Sequence, residues 1–306
     1  MKTQKILLSG ILGLAVAGLT LNGCHKDNAT APVTNTNQNV MAAEDDANGT
    51  YASNDSKNIA DASMQSQSAS GSADKEASHK LSLIYGDCAK VTGNDTIVGG
   101  AQDTVIHIEF GTTDCFCFDK RNRRGTIIVY WGLQHPGESW FQAYSDSGNT
   151  ITLTFKDYYL RDNGISGTRT WTNEGHNVNG YQNWNFTANL TITYPNSQTA
   201  TWVAARNNAI TQVDNVWYYE VSGNGHGMSR DGNSYTVTIA SPIYVTVLPW
   251  WAGGCPWPEA GIVTITRTSP AGGNSVTMTV NYGTLGDCNA NKTVTVSGST
   301  QTIAMW

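Results

Sequence analysis

From about residue 80 onward, apolar and polar residues alternate in short runs, and a period of two marks strands with one packed face and one wet face. The runs fall at 104–110, 125–130, 150–155, 186–194, 216–221, 235–240, 243–248, 262–268, 276–282 and 293–296. In the third of them Ile151, Leu153 and Phe155 alternate with Thr150, Thr152 and Thr154. Turn chemistry separates the runs: Asp146-Ser147-Gly148-Asn149, Arg161-Asp162-Asn163-Gly164, Gly223-Asn224-Gly225 and Asp231-Gly232-Asn233. Asn163-Gly164, set between Tyr158-Tyr159-Leu160 and Ile165, predicts a hairpin. Short links favour pairing between consecutive strands. The pattern therefore predicts an all-β, antiparallel meander or sandwich of about a dozen strands in one domain, residues 80–306.

The first 79 residues have a different texture. Lys2 and Lys5 precede an apolar run from 6 to 21, and small Gly23 stands before Cys24. That is the layout of an export signal, and the run is shorter than the roughly 20 apolar residues of a membrane span. Leu21-Asn22-Gly23-Cys24 resembles a bacterial lipobox. The resemblance implies removal of residues 1–23, lipidation of Cys24 and attachment of the remainder to a membrane. His25 follows the cysteine where many inner-membrane lipoproteins carry Asp, so the same resemblance implies the outer membrane, on its periplasmic or its surface face.

Residues 25–79 are rich in Ala, Asn, Ser, Thr, Asp and Gln, with Val33, Val40, Met41, Tyr51, Ile59 and Met64 scattered in no sustained period. Such a composition predicts a disordered acidic tether over 24–79, because too little apolar surface offsets the entropy of ordering it. A flexible chain of about 55 residues would span roughly 40 Å.

Composition sharpens the class. The chain carries 24 Asp and Glu against 18 Lys and Arg, a net charge of −6, with much of the acid excess in the tether. An acidic export product has no global attraction to nucleic acid. In an oxidising compartment Cys88, Cys115, Cys117, Cys255 and Cys288 are disulfide candidates. Cys88 with Cys115 or Cys117, and Cys255 with Cys288, would close two loops and leave one thiol over.

Three stretches carry a further resemblance. Arg123-Arg124-Gly125-Thr126-Ile127-Ile128-Val129, Phe155-Lys156-Asp157-Tyr158-Tyr159 and Asn163 to Thr170 look like a group of β-rich Bacteroidota lipoproteins. Tyr282-Gly283, Gly286-Asp287-Cys288 and Lys292 to Val296 fit the same group. The resemblance implies compartment and source phylum. It carries no activity and no catalytic residue.

Candidate chemistry is sparse. Lys120, Arg121, Arg123 and Arg124 form the densest basic patch, suited to an anionic ligand, although flanking Asp114 and Asp119 favour a solvated loop. Trp250, Trp251 and Trp257 lie in one Pro- and Gly-rich loop, suited to stacking on sugar rings or to plugging one end of the domain. Neither His107 with Glu109 nor His135 with Glu138 has zinc-protease spacing, and no nucleophile elbow or phosphate loop is present. Glu109, Glu138, Asp157, Glu220 and Glu259 are the carboxylates available for glycoside hydrolysis, and spacing selects no pair among them. No catalytic residue, metal ligand or cofactor is assigned. The expectation is a non-enzymatic outer-membrane lipoprotein that binds glycan or protein through strand-end loops, with a glycoside hydrolase-like enzyme as the alternative.

Overall fold

The computed structural model describes residues 40–68, 88–98, 101–132, 146–247, 254–255, 257–269 and 275–305. They form one helix and a single sheet. The helix α1 is Met41–Ser68. The strands are β1 (Lys90–Val98), β2 (Ala101–Glu109), β3 (Cys115–Phe116), β4 (Asn122–Gly132), β5 (Thr150–Leu160), β6 (Asn163–His176) and β7 (Gln182–Thr193), then β8 (Thr199–Val213), β9 (Val216–Met228), β10 (Ser234–Thr246), β11 (Ala260–Thr268), β12 (Val276–Asn281), β13 (Asn291–Val296) and β14 (Ser299–Ala304). All but β3 follow one another in chain order across the sheet, each antiparallel to the next, and β3 adds to β4 off that path. Among the described residues β1 and β14 are the two edges of the sheet. The predicted meander is therefore a single open sheet, neither a sandwich nor a closed barrel.

Alternation divides the sheet into two faces. Ile127, Val129 and Trp131 of β4, Ile151 and Leu153 of β5, Leu190 and Ile192 of β7 and Val263 and Ile265 of β11 are buried on the inner face. The outer face is a grid of hydroxyl side chains in cross-strand register. One row pairs Tyr130 with Thr152, Thr170, Thr187 and Ala205, then continues through Asn224, Thr238, Thr264, Thr279, Thr295 and Thr300. Thr170 and Thr187 share a hydrogen bond of 2.7 Å, as do Thr150 and Thr172 one row away. Such pairs stabilise a sheet by a few tenths to about 1 kcal/mol each.

The predicted hairpin at 158–168 forms, with a displaced turn. Leu160 pairs with Asn163, so Arg161 and Asp162 make the turn and Asn163-Gly164 begin β6. Arg161 takes the positive φ of 55° that the tight reversal needs. A bulge between Thr154 and Tyr158 moves the buried set from Ile151 and Leu153 to Tyr158 and Leu160. Gly125 on β4 faces that bulge, at φ 85°, where a Cβ would lie 2.0 Å from the Asp157 carbonyl oxygen. The runs at 235–240 and 243–248 join into one strand, β10, with an irregularity between Thr238 and Ile243. The turn between β9 and β10 lies where Asp231-Gly232-Asn233 predicts it.

The expected disordered tether is the main correction. Residues 41–68 form α1, and the compact unit begins near Asn37 rather than residue 80. From Ala42 to Ala60 nearly every helical residue is buried, polar ones included: Asp45, Asp46, Asn48, Thr50, Ser53, Asp55, Ser56 and Lys57. The helix touches β2, β4 and β7 on one side of the sheet order and β8 and β11 on the other, so the sheet curls around it. Ala42, Ala43, Ala47, Ala52 and Ala60 supply propensity and slender flanks. Glu44, Asp45 and Asp46 stand in the first turns, where the helix dipole favours negative charge. No continuous apolar stripe is needed, because Glu44, Asp45, Asp46 and Asp55 each meet a polar or cationic partner from the sheet or its turns. No helix among the described residues is long and apolar enough to cross a membrane.

Candidate functional site

The helix polar groups and the inward-facing arginines of the sheet are complementary. At the N-terminal end, Tyr194 donates its hydroxyl to Asp45 Oδ1 at 2.6 Å, the Arg230 backbone N–H donates to Asp45 Oδ2 at 2.8 Å, and the Arg230 guanidinium pairs with Glu44. One residue on, the Trp202 indole N–H donates to Asp46 Oδ1 at 2.8 Å, and Arg206 Nη2 stands 3.6 Å from the same oxygen. Burial raises the carboxyl pKa of Asp45 and Asp46 above the usual range, against the opposing pull of Arg230 and Arg206. Arg169 of β6, fully buried, donates to the Ser53 carbonyl.

The densest cluster lies further along the helix. Asp55 Oδ1 accepts from Arg121 Nη1 at 3.0 Å and Arg123 Nη2 at 2.7 Å, and Asp55 Oδ2 accepts from Arg123 Nε at 3.3 Å. Asp119 accepts from Arg123 at 2.8 and 2.6 Å and from Arg121 Nη1 at 3.2 Å. Two carboxylates and two guanidiniums thus form one closed network, and every carboxylate oxygen is engaged. Tyr51 stacks on Trp257 with ring centroids 5.0 Å apart, and the Arg121 guanidinium lies over both rings. Lys57 pairs with Asp61 and sits over Trp171 and Tyr219.

Beside this network is a cavity of about 60 Å³ between α1 and β7 to β10. Thr50, Lys57 and Asn58 line it from the helix, and Arg206, Asn208 and Tyr219 from the strands. Asn58, one of the lining residues, is exposed. Arg206 donates Nη1 to Thr50 Oγ1 at 3.2 Å, but its Nε and Nη2 have no hydrogen-bond acceptor among the described residues. Asn208 Oδ1 has no donor among the described residues, and both residues are more than nine-tenths buried. The Cys255 segment closes one side, its backbone N–H donating to Thr246 Oγ1 at 2.7 Å.

The residues singled out from the sequence separate accordingly. Arg121 and Arg123, expected in a solvated loop, are buried and paired with helix and loop carboxylates. The cause is α1, which brings Asp55 to them. Arg124 pairs with Asp114 at 2.6 Å and stacks over Tyr159, and Lys120 is exposed at φ 63°. Trp257 packs against Tyr51, while Trp250 and Trp251 lie outside the described residues. So do Cys24, His135 and Glu138.

Cys88 is bonded to Cys115 and Cys255 to Cys288, which leaves Cys117 as the buried free thiol. His107 and Glu109 alternate with buried Ile106 and Ile108, so they face outward from β2. Asp157 is exposed at its bulge, Glu220 is half-buried on β9, and Glu259 is buried, accepting the Gly286 N–H at 2.6 Å. No group of three or more His, Cys, Asp or Glu among the described residues is arranged to hold a metal ion.

Sequence reasoning did not reach Arg169, Arg206, Asn208 and Arg230. The available signal was phase: Arg206 and Asn208 share the inward parity of Ala200, Trp202 and Ala204 on β8, and an inward arginine requires a buried counter-charge. Comparison with protein-family models, with curated proteins and with solved structures returns no match for this chain.

Proposed function

We propose that this chain is an outer-membrane lipoprotein, anchored through Cys24, whose folded part is a binding module rather than an enzyme. The anchor rests on the residue pattern of 1–24 and its resemblance to a lipobox. The binding reading rests on one observation, the cavity between α1 and β7 to β10, lined by polar and charged side chains of the helix and the strands. The two carboxylates lining it, Asp55 and Asp119, are held by Arg121 and Arg123 at all four oxygens. A glycosidase needs one carboxyl free to give a proton and a second free to attack or to activate water. A carboxylate locked between two guanidiniums suits neither role.

Surface labelling and fractionation of cells producing the chain, with and without Cys24→Ala, test the anchor. The unsubstituted chain is expected in the outer-membrane fraction with acyl mass on Cys24, and the variant is expected to be released. An unsubstituted chain recovered soluble and without acyl mass overturns the anchor. Release of reducing sugar from envelope or dietary polysaccharide by the purified protein overturns the non-enzymatic reading.

A further inference from the structure

We propose that the turn between β3 and β4, residues 116–120, dips into a lipid surface, with Phe116 and Phe118 entering the headgroup region and Lys120 meeting lipid phosphate. The inference rests on the lipid-anchor reading above and adds a second, weaker contact between the folded part and the membrane.

Exposure is the first reason. Phe116 and Phe118 are 66 % and 63 % exposed, while Cys117 between them is fully buried, so two aromatic rings face outward around one inward side chain. Large apolar side chains left out together mark a contact surface. Their exposed area is on the order of 250 Å², far short of the roughly 1,000 Å² that a specific protein interface needs. A lipid surface closes over a protruding tip from all sides, so it buries both rings without a matching concave partner.

The turn is also held rigid. Cys115, just before Phe116, is bonded to Cys88. The Cys117 N–H donates to the Arg121 carbonyl at 2.8 Å, and the Lys120 N–H donates to the Cys117 carbonyl at 2.9 Å. From beneath, Asp119 is gripped by Arg123 at 2.8 and 2.6 Å. The rings are therefore presented in place, and docking loses little ordering entropy.

Charge favours lipid over a neutral glycan. Asp119 is the one acid of the turn, and its side chain is only 3 % exposed because it points back at Arg121 and Arg123. Lys120 remains exposed, and Arg124 nearby is paired with Asp114. The tip thus offers two rings and a cation with its carboxylate withdrawn, the combination an anionic headgroup layer attracts. A neutral glycan would use the rings but not the cation.

The anchor can bring the turn to the bilayer. Asp55, which holds Arg121 and Arg123 beneath the turn, lies about 20 Å along α1 from Met41. Residues 25–39, between Cys24 and the helix, span at most about 50 Å. A contact too weak to hold a free protein then becomes intramolecular.

Hydrogen exchange read by mass spectrometry tests this on the chain from Cys24 onward, which keeps every described residue. The Cys24 thiol is coupled either to a maleimide lipid in vesicles of phosphatidylcholine and phosphatidylglycerol or to soluble maleimide polyethylene glycol, and buried Cys117 is spared. Chemical coupling makes the result independent of whether cells lipidate Cys24. Amide exchange across 116–119 is expected to be at least about fivefold slower on vesicles than on the soluble carrier, with the 195–198 turn unchanged. Phe116→Ser combined with Phe118→Ser changes only exposed side chains and is expected to abolish the difference with an unchanged circular dichroism spectrum. Lys120→Gln is expected to reduce it on vesicles containing phosphatidylglycerol. Equal exchange on vesicles and soluble carrier overturns the lipid contact and leaves the anchor to its own test in cells. Slowing that persists in the double variant overturns it as well. So does slowing on the soluble carrier that grows with protein concentration, which identifies a second copy of this chain, or that follows added oligosaccharide, which identifies a glycan.

Discussion

Asp55 on the helix and Arg123 on β4, 68 residues apart in the chain, are joined by hydrogen bonds of 2.7 and 3.3 Å within the interior. This pair fastens the N-terminal helix to the sheet. Removing one partner from a buried pair strands the other charge, at a cost of about 3–5 kcal/mol. Asp55→Ala is expected to lower unfolding stability by about 3 kcal/mol, since Asp119 still holds part of the charge. Chemical denaturation checks this, and a change below about 0.5 kcal/mol, typical of a surface site, would refute the fastening role.

Gly49 and Trp202 predict a reversal of the usual helix rule. Alanine is better than glycine in an exposed helix by about 1 kcal/mol. At Gly49, however, a Cβ would lie 2.3 Å from Trp202 Cγ, at the rigid root of the ring. Gly49→Ala is therefore expected to destabilise the protein by about 1–3 kcal/mol and to alter its near-ultraviolet circular dichroism. A stabilised variant would show that α1 does not seat against Trp202.

Acid sensitivity is expected to depend on Asp231 in the β9–β10 turn. Burial works against its ionisation, but hydrogen bonds from Ser229, Asn233 and Arg267 prevail and hold its carboxyl at about 2, below the usual 3.8. Its folded form therefore ionises at lower pH than its unfolded form. The resulting stability is present above about pH 4 and is lost as pH falls through about 2. Urea midpoints for the parent and Asp231→Asn should differ above pH 4 and converge near pH 2, and a gap independent of pH would exclude this origin. Asp46 acts in the opposite sense: burial raises its carboxyl pKa, so its contribution falls as pH rises through that elevated range. Asp46→Asn should remove that slope.

The cysteines make a separable prediction. Cys255 and Cys288 close a loop with a sequence separation of 33, and opening it by Cys288→Ser is expected to cost about 3–4 kcal/mol. Cys117 is buried and its thiol pKa is raised by that burial, so a thiol reagent should label it only in denaturant. Rapid labelling of the native protein at Cys117 would contradict its position.

Most of the strands and their two faces were legible in the chain, because period-two alternation and turn residues are local signals, but β1, β8 and β14 lay outside the predicted runs and the choice of a meander over a sandwich came from the packing. Thr150 to Phe155 reads as a half-buried strand without reference to anything else. The paired cysteines followed from the expected export and from spacing, although only the packing chose Cys115 over Cys117. The helix was not legible. Its face toward the sheet is acidic and amide-rich rather than apolar, so its burial depends on arginines contributed from 66 to 186 residues further along. For the same reason the basic run at 120–124 read as a solvated loop until Asp55 was brought beside it. Local sequence therefore determined a sheet with one wet face. Tertiary structure decided what fills the other, because a charge can be buried only where its counter-charge arrives from elsewhere in the chain.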